Sequence, residues 1–203
     1  PDGAVSANNK VWRTVTFAPL TTTKIRVVTT GALAGHSRLA EVEAWGAEPP
    51  ATNTPAPFVN HALAASGATV TASSPLDGAP SPPPVINGDR RGLHWGTDPS
   101  TGSGWHDSTK DAFPDWLEVN FGGPRTVGEV NLFSVQDAYV APSDPTAQML
   151  FTKYGVTGFQ VEYWTGTAWQ LVQNGLVVSY NNVWARVAFA PLTTTKMRGV
   201  VNS

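Results

Sequence analysis

An eight-residue segment occurs twice in this chain of 203 residues. It runs from Phe17 to Lys24 and returns unchanged from Phe189 to Lys196. The match extends on both sides, with Val11-Trp12 corresponding to Val183-Trp184 and Ile25–Val28 to Met197–Val200. Such self-similarity indicates repeated structural units. We therefore expect one nearly complete domain together with part of a neighbouring copy.

Composition restricts the class of protein. With 41% hydrophobic residues, the chain can bury a core of ordinary size. Only 14% of the residues are charged and the net charge is -2, which argues against nucleic acid as a partner. The chain has no cysteine, so disulfides, thiolate metal sites and cysteine nucleophiles are excluded. No apolar run reaches the roughly 18 residues that span a bilayer, so we expect no membrane insertion.

Short alternating segments favour an all-β fold. From Val11 to Phe17, apolar and polar side chains alternate as in a half-buried strand, and Pro19 is expected to end it. The next two predicted strands are Lys24–Thr30 and Leu39–Trp45. Further strands are predicted at residues 68–72, 116–121, 127–135, 158–164 and 168–172, with a long irregular insertion at 136–154. Strands of this length and spacing are typical of a β-sandwich or jelly roll.

A proline-rich stretch divides the chain. Residues 47–57 contain four prolines and no apolar periodicity, as expected of a stiff linker. Residues 1–46 are then predicted to be the C-terminal strands of a preceding repeat. Residues 58–203 are predicted to form a domain that lacks its closing strand.

Several segments, taken together, resemble the discoidin domains, also called coagulation factor V/VIII C-type domains, which include the family-32 carbohydrate-binding modules. They occur in the family's order and cover most of the chain. The segments are Ala68–Ser74, Val85–Asp89 followed by Trp95, Asp115–Phe121, Phe159–Trp164 with Trp169, and Phe189–Arg198. In the first repeat copy, Ser37–Gly46 matches the family's closing strand.

The resemblance implies a jelly-roll β-sandwich whose loops at one end bind a ligand, commonly a terminal sugar. It also implies a non-catalytic role in a larger secreted protein. The expected partner is then a glycan or cell-surface polysaccharide, and the expected location is extracellular. A second interpretation stays open, in which the units are structural or adhesive repeats of an extracellular assembly or filament and bind neighbouring copies of themselves.

The resemblance also implies a structural calcium ion. Carried over by position, Asn87 stands where the family usually has an aspartate, Asp89 where a backbone carbonyl is typical, and Glu41 where the closing strand supplies a glutamate. Two features depart from the family: Asn87 is a neutral ligand, and Leu93 replaces the expected threonine. Since Ca²⁺ binds six or more oxygens and carboxylates set its affinity, the alternative is that Asn87-Gly88 is simply a tight turn.

The loop from Trp95 to Phe113 is rich in groups that recognise sugars. An aromatic ring covers the apolar face of a pyranose, and a few planar polar groups bind its hydroxyls. The predicted ligand-binding residues are Trp105, His106, Arg90, Arg91, His94 and Tyr139. The alternative for Trp105 is that its ring folds into the core.

Catalysis is not expected. The carboxylates of Asp107, Asp111, Asp115 and Glu118 could supply the pair that a glycosidase needs. However, Glu118 lies in an alternating strand and the other three are ordinary loop residues. No Gly-x-Ser-x-Gly, phosphate-loop or His-Glu-x-x-His motif occurs in the chain.

The two parts of the chain are complementary. We expect Leu39–Trp45 to dock at the open sheet edge of the 58–203 unit, within one chain or between chains, and to bring Glu41 toward Asn87 and Asp89. The repeated strands before it would then have to pack elsewhere or stay exposed. The alternative is that the chain is a piece of a longer one, whose neighbouring residues complete both units.

Overall fold

The computed structural model describes residues 6–9, 11–46, 59–74, 84–95 and 104–201. The predicted linker at 47–57 lies outside these residues, as do residues 96–103 of the predicted ligand loop.

Strands dominate the described residues, which contain two single-turn 3-10 helices, Leu33–Gly35 and Ala64–Ser66, and no α-helix. The strands are β1 Ser6–Asn9, β2 Trp12–Ala32, β3 Arg38–Gly46, β4 Val59–Asn60, β5 Thr69–Ala72, β6 Trp105–His106, β7 Asp115–Ser134, β8 Val156–Trp164, β9 Trp169–Val177, β10 Ser179–Asn181 and β11 Trp184–Val201. The prediction of an all-β chain is confirmed, in an arrangement consistent with a β-sandwich. In the part of the chain that the structure describes, no helix is long and apolar enough to cross a membrane.

β7 organises a large mixed sheet. Its first half pairs with β5 and its second half with β3, both antiparallel. β3 also pairs with β4 and β6, while β8 pairs with β9. Between the halves of β7, Gly122 has φ 72° and the pairing register shifts, because glycine adopts positive φ at little cost and lets the strand bend. The two strands predicted at 116–121 and 127–135 are therefore halves of one element.

The main core lies on one face of these strands. Along β7, Leu117, Val119 and Phe121 are buried on alternate positions, and Val130 and Leu132 continue the pattern in the second half. Successive side chains of a strand point to opposite faces, so a period of two buries one face. The hairpin predicted near Trp164 and Trp169 is also present, as β8 and β9.

β3 pairs beside the second half of β7, at the position that the sequence predicted for it. Leu39 to Trp45 pair antiparallel with the second half of β7. Leu39, Val42 and Ala44 enter the main core and are at most 1% exposed. The Gly88 N–H donates to Glu41 Oε1 over 3.3 Å, so Glu41 approaches the Asn87–Asp89 turn. Leu39–Trp45 therefore docks within the chain.

The two repeat copies occupy the same place in the sheet. β2 and β11 both pair antiparallel with β7 and with β8, and corresponding residues have the same partner. The rings of Phe17 and Phe189 fall on one another, and a Cβ added to Gly199 would fall on that of Val27. Since two segments cannot fill one volume, only one copy can hold this place at a time. We call the place between β7 and β8 the shared position.

This arrangement corrects the expectation that the first copy must pack elsewhere or stay exposed. It also corrects the strand bounds, because β2 continues through Pro19 from Trp12 to Ala32 instead of ending there. The parallel pairing of β2 with β11 joins like residue to like residue, for example Trp12 with Trp184. It follows from the superposition of two occupants and adds no further strand to the sheet.

Candidate functional site

The face of the sheet opposite the core carries a row of polar and aromatic side chains. Val42 and Ala44 of β3 point into the core, so Glu43 and Trp45 take the other face. The same alternation puts Glu129 and Asn131 of β7 on that face. It also puts Trp184 and Arg186 there when β11 holds the shared position.

These side chains line a groove of about 410 Å³. The lining residues are Glu43, Trp45, Arg90, Glu129, Asn131, Trp184 and Arg186. Strand pairing sets their order, because Asn131 lies opposite both Glu43 and Arg186. Three neighbouring strands therefore contribute to one row across the groove.

Hydrogen bonds hold the two tryptophans of the groove in place. The Trp45 indole N–H donates to Glu43 Oε2 over 2.9 Å, and the Trp184 indole N–H donates to Asn131 Oδ1 over 2.6 Å. The Asn131 amide in turn donates to Glu129 Oε1 over 2.9 Å. Each indole ring is thus held by its nitrogen and remains partly exposed.

Each carboxylate of the groove is matched by a guanidinium. Arg90 Nε donates to Glu43 Oε1, and Arg186 lies 2.7 Å from Glu129 Oε2. Burial raises the pKa of Glu43, while Arg90 and the Trp45 indole N–H act in the opposite direction. The Arg90 guanidinium also lies 5.6 Å above the Phe133 ring, which is itself 5.4 Å from Trp184.

Of the residues predicted to bind a ligand, Arg90 is the one that lines the groove. Trp105 is 2% exposed, and its indole N–H donates to the Ser74 carbonyl over 2.9 Å. Its ring belongs to the core and offers no open face, so the inward-folded alternative describes it.

His106 belongs to a separate cluster on β6. Its Nε2 lies 3.2 Å from an Arg38 nitrogen and its ring stands edge-on to His36 at 4.7 Å. Burial lowers the pKa of His106 to about 4, and the neighbouring Arg38 and His36 act in the same direction. The ring is therefore neutral at pH 7 and accepts a hydrogen bond from Arg38.

The other three predicted ligand residues lie apart from the groove lining. Arg91 contacts Asp89 at 3.3 Å and Asp144 at 3.7 Å. Tyr139, in the irregular insertion, packs edge-on against Tyr154 at 5.6 Å. His94 is exposed and has a positive φ of 64°.

The structure brings the three predicted calcium ligands to one turn. Asn87 Oδ1 accepts the Asp89 N–H over 2.8 Å, and Glu41 is fully buried beside Gly88. Glu41 Oε2 has no hydrogen-bond partner among the described residues. Burial, together with Glu43, raises the pKa of Glu41 well above its usual range. A buried carboxylate oxygen without a partner suits a cation, although no group of three His, Cys, Asp or Glu side chains forms within the described ranges.

The carboxylates considered for catalysis hold structure instead. Asp107 is fully buried and accepts the backbone N–H groups of Ser37 and Thr109, at 2.6 and 2.9 Å. Asp115 accepts the hydroxyls of Ser73 and Ser74, and burial raises its pKa. Glu118 pairs with the lysine of either repeat copy. Asp111 is exposed at a positive φ of 56°.

Most of the groove was not predicted from the sequence. In the predicted strand Leu39–Trp45, Glu41, Glu43 and Trp45 alternate with Val42 and Ala44, and this pattern indicates a polar face on β3. What the sequence did not reveal is that β7 and β11 present matching polar faces beside it, because that depends on strand order.

Comparison with known proteins finds no matching family model, no matching curated protein and no matching solved structure.

Proposed function

We propose that this chain is a non-catalytic carbohydrate-binding module with a discoidin-like jelly-roll fold, part of an extracellular protein. The observation that carries the proposal is the groove with two partly exposed tryptophans and a ring of planar polar groups. Its volume lies within the range usual for small-molecule sites. The motifs that resemble discoidin domains support the fold and the extracellular location.

The chemistry of the groove favours a neutral, hydroxyl-rich ligand. Two glutamates and two arginines line it, and they pair as Glu43 with Arg90 and Glu129 with Arg186. The paired charges cancel, so a charged ligand would find no net attraction, whereas sugar hydroxyls can donate to carboxylates and accept from guanidiniums. The indole faces supply the apolar surface that a pyranose ring needs.

The spacing of the tryptophans favours an oligosaccharide. Trp45 lies opposite Glu129 and Trp184 lies opposite Phe133, on the two strands that flank β7. Four residues along β7 correspond to about 13 Å at 3.3 Å per residue. That span exceeds one sugar ring, so two rings of one chain can each meet an indole.

The groove is arranged for binding and not for bond cleavage. Hydrolysis of a glycosidic bond requires one carboxyl to give a proton and a second to act as base or nucleophile. Both groove carboxylates are engaged by arginines, and proton transfer to a ligand would first have to break an ion pair.

Calcium has a structural role in this proposal. Glu41, the Asn87 side chain and the Asp89 carbonyl would hold the ion, whose charge would satisfy the partnerless Glu41 oxygen. This would attach β3, which supplies Glu43 and Trp45, to the turn that precedes Arg90.

The test is a glycan array on the intact chain, followed by titration of the tightest-binding oligosaccharide. Trp45→Ala removes one indole from the groove, and loss of about 2 kcal/mol of stacking and burial weakens binding roughly 30-fold. Trp164→Ala is the matched control, since Trp164 is partly exposed but packs on Trp169 outside the groove lining. Absence of binding to every glycan at millimolar concentration would reject the proposal and favour a structural or adhesive repeat.

A further inference from the structure

The shared position gives both repeat copies the same partners. Val11 and Val183 donate their N–H groups to the Met149 carbonyl, over 2.7 and 2.9 Å. Near the middle, the hydroxyls of Thr21 and Thr193 both lie within hydrogen-bond distance of the Thr126 hydroxyl, at 2.9 and 3.2 Å. The two copies therefore have matching register at the start and in the middle of the position.

The charged groups of the two copies are also equivalent. Lys24 and Lys196 both contact Glu118 Oε1, at 3.0 and 2.9 Å. In the same way, Arg26 and Arg198 both contact Glu162, at 2.8 and 2.9 Å. Whichever copy is present, these two partly buried glutamates keep a cationic partner, and neither is left as an unpaired charge.

One difference between the copies affects which of them is preferred. Val27 of the first copy corresponds to Gly199, so the first copy buries a side chain that the second lacks. This difference favours the first copy, because buried apolar surface stabilises the folded chain.

We propose that the two copies are interchangeable occupants of the shared position, and that the occupant sets the chemistry of the groove. Arg186 pairs with Asn131 of β7 when β11 is in place, and Thr14 takes that register when β2 is in place. Exchange therefore replaces an arginine beside Glu129 by a threonine, whereas the tryptophan opposite Phe133 is present in both, as Trp184 or Trp12.

The exchange of the two copies is inferred from the strand register alone. Only its effect on ligand binding depends on the proposed function. With Thr14 in place, Glu129 loses its ion pair and the groove gains net negative charge. The two forms should then prefer different sugars, since only the form with Arg186 offers a guanidinium donor at this point.

Paired cysteines can trap each form, because the natural chain has none. Thr21→Cys with Thr126→Cys locks the first copy in place, and Thr126→Cys with Thr193→Cys locks the second. Thr126→Cys with Thr152→Cys is the control, since Thr152 lies beside Asp137 in the irregular insertion, near the Val11 and Val183 end of the shared position and not beside Thr126. After mild oxidation of the full chain, cross-links are located by peptide mapping.

We expect cross-links within single chains in both locked variants and none in the control. A tenfold difference between the cross-linking rates of the two locked variants would correspond to a preference of 1.4 kcal/mol for one copy over the other. Locking the first copy should also free Trp184, whose chemical oxidation rises relative to the variant that locks the second copy. Cross-linking of only one pair, or only between chains, contradicts the exchange.

The glycan array then tests the consequence for the groove. The two locked variants should give different binding profiles, and adding Arg186→Thr to the variant that locks the second copy should shift its profile toward that of the first. Identical non-zero profiles contradict control by the occupant. Absence of binding by both variants refutes carbohydrate binding and with it the effect on the groove, while the cross-links still decide the exchange.

Discussion

Truncation of Leu39 tests whether β3 is part of the folded sheet. Leu39 is 1% exposed in the main core, although its strand comes from the part of the chain that precedes the predicted linker. A buried Leu→Ala change costs 2–5 kcal/mol, from lost transfer free energy and the cavity left behind. Because Leu39 is almost completely buried in the main core, we expect Leu39→Ala to lower the free energy of unfolding by about 3 kcal/mol.

The assay is urea denaturation followed by tryptophan fluorescence, with thermal unfolding as a second measure. For a chain of this size, about 3 kcal/mol corresponds to a fall of roughly 6–12 °C in Tm. Val59→Ala is the control, since Val59 on β4 is 37% exposed and should change stability by less than about 0.5 kcal/mol. If Leu39→Ala behaves like the control, β3 does not belong to the core and the docking described above is wrong.

Three further predictions follow from buried polar groups. Asp107→Ala leaves the buried N–H groups of Ser37 and Thr109 without their acceptor and should lower the free energy of unfolding, measured by urea denaturation, by about 2–4 kcal/mol. An unchanged urea midpoint would contradict the structural role of Asp107. The folded-state pKa of His106 is about 4, below its unfolded value of 6.5, so the free energy of unfolding should fall as the pH drops from 6.5 to 4. His106→Gln should reduce this pH dependence, and equal pH profiles for the variant and the parent chain would refute the lowered pKa of His106. Calcium should raise Tm in the parent chain but not in Glu41→Gln, and equal shifts would exclude Glu41 as a ligand.

Local pattern predicted the strands well where one face is buried. Leu39–Trp45 and Thr69–Ala72 alternate cleanly, and both are strands in the structure. Pro19 was expected to end a strand, but β2 continues through it with a shift in register between Thr16 and Leu20. Such irregularities tolerate proline because no ladder hydrogen bond is required there.

Global arrangement was harder to predict than strand location. The repeat was evident from Phe17–Lys24 and its copy, but sequence identity does not say that both copies compete for one place. That result depends on the partners that β7 and β8 offer, which are distant in sequence. The docking of β3 was predictable because the repeat showed which strand it would follow.

The candidate site shows the same limit. Aromatic and basic residues near Trp105 suggested a ligand-binding loop. However, the Trp105 ring is buried, and its indole N–H donates to the Ser74 carbonyl. Glu43 and Trp45 were visible as the polar face of a strand, but Glu129 and Arg186 meet them only through strand order. A single sequence shows which faces are polar and does not show which polar faces become neighbours.

Hydroxyl-radical footprinting with the tightest-binding oligosaccharide from the array tests most directly whether the groove binds carbohydrate. We expect oxidation of Trp45 and Trp184 to fall on binding, while oxidation of Trp164 and Trp169, which are also partly exposed, stays constant. Protection confined to the region around His94 and His106, with Trp45 and Trp184 unchanged, would show that the sugar binds outside the groove and would contradict the proposed site.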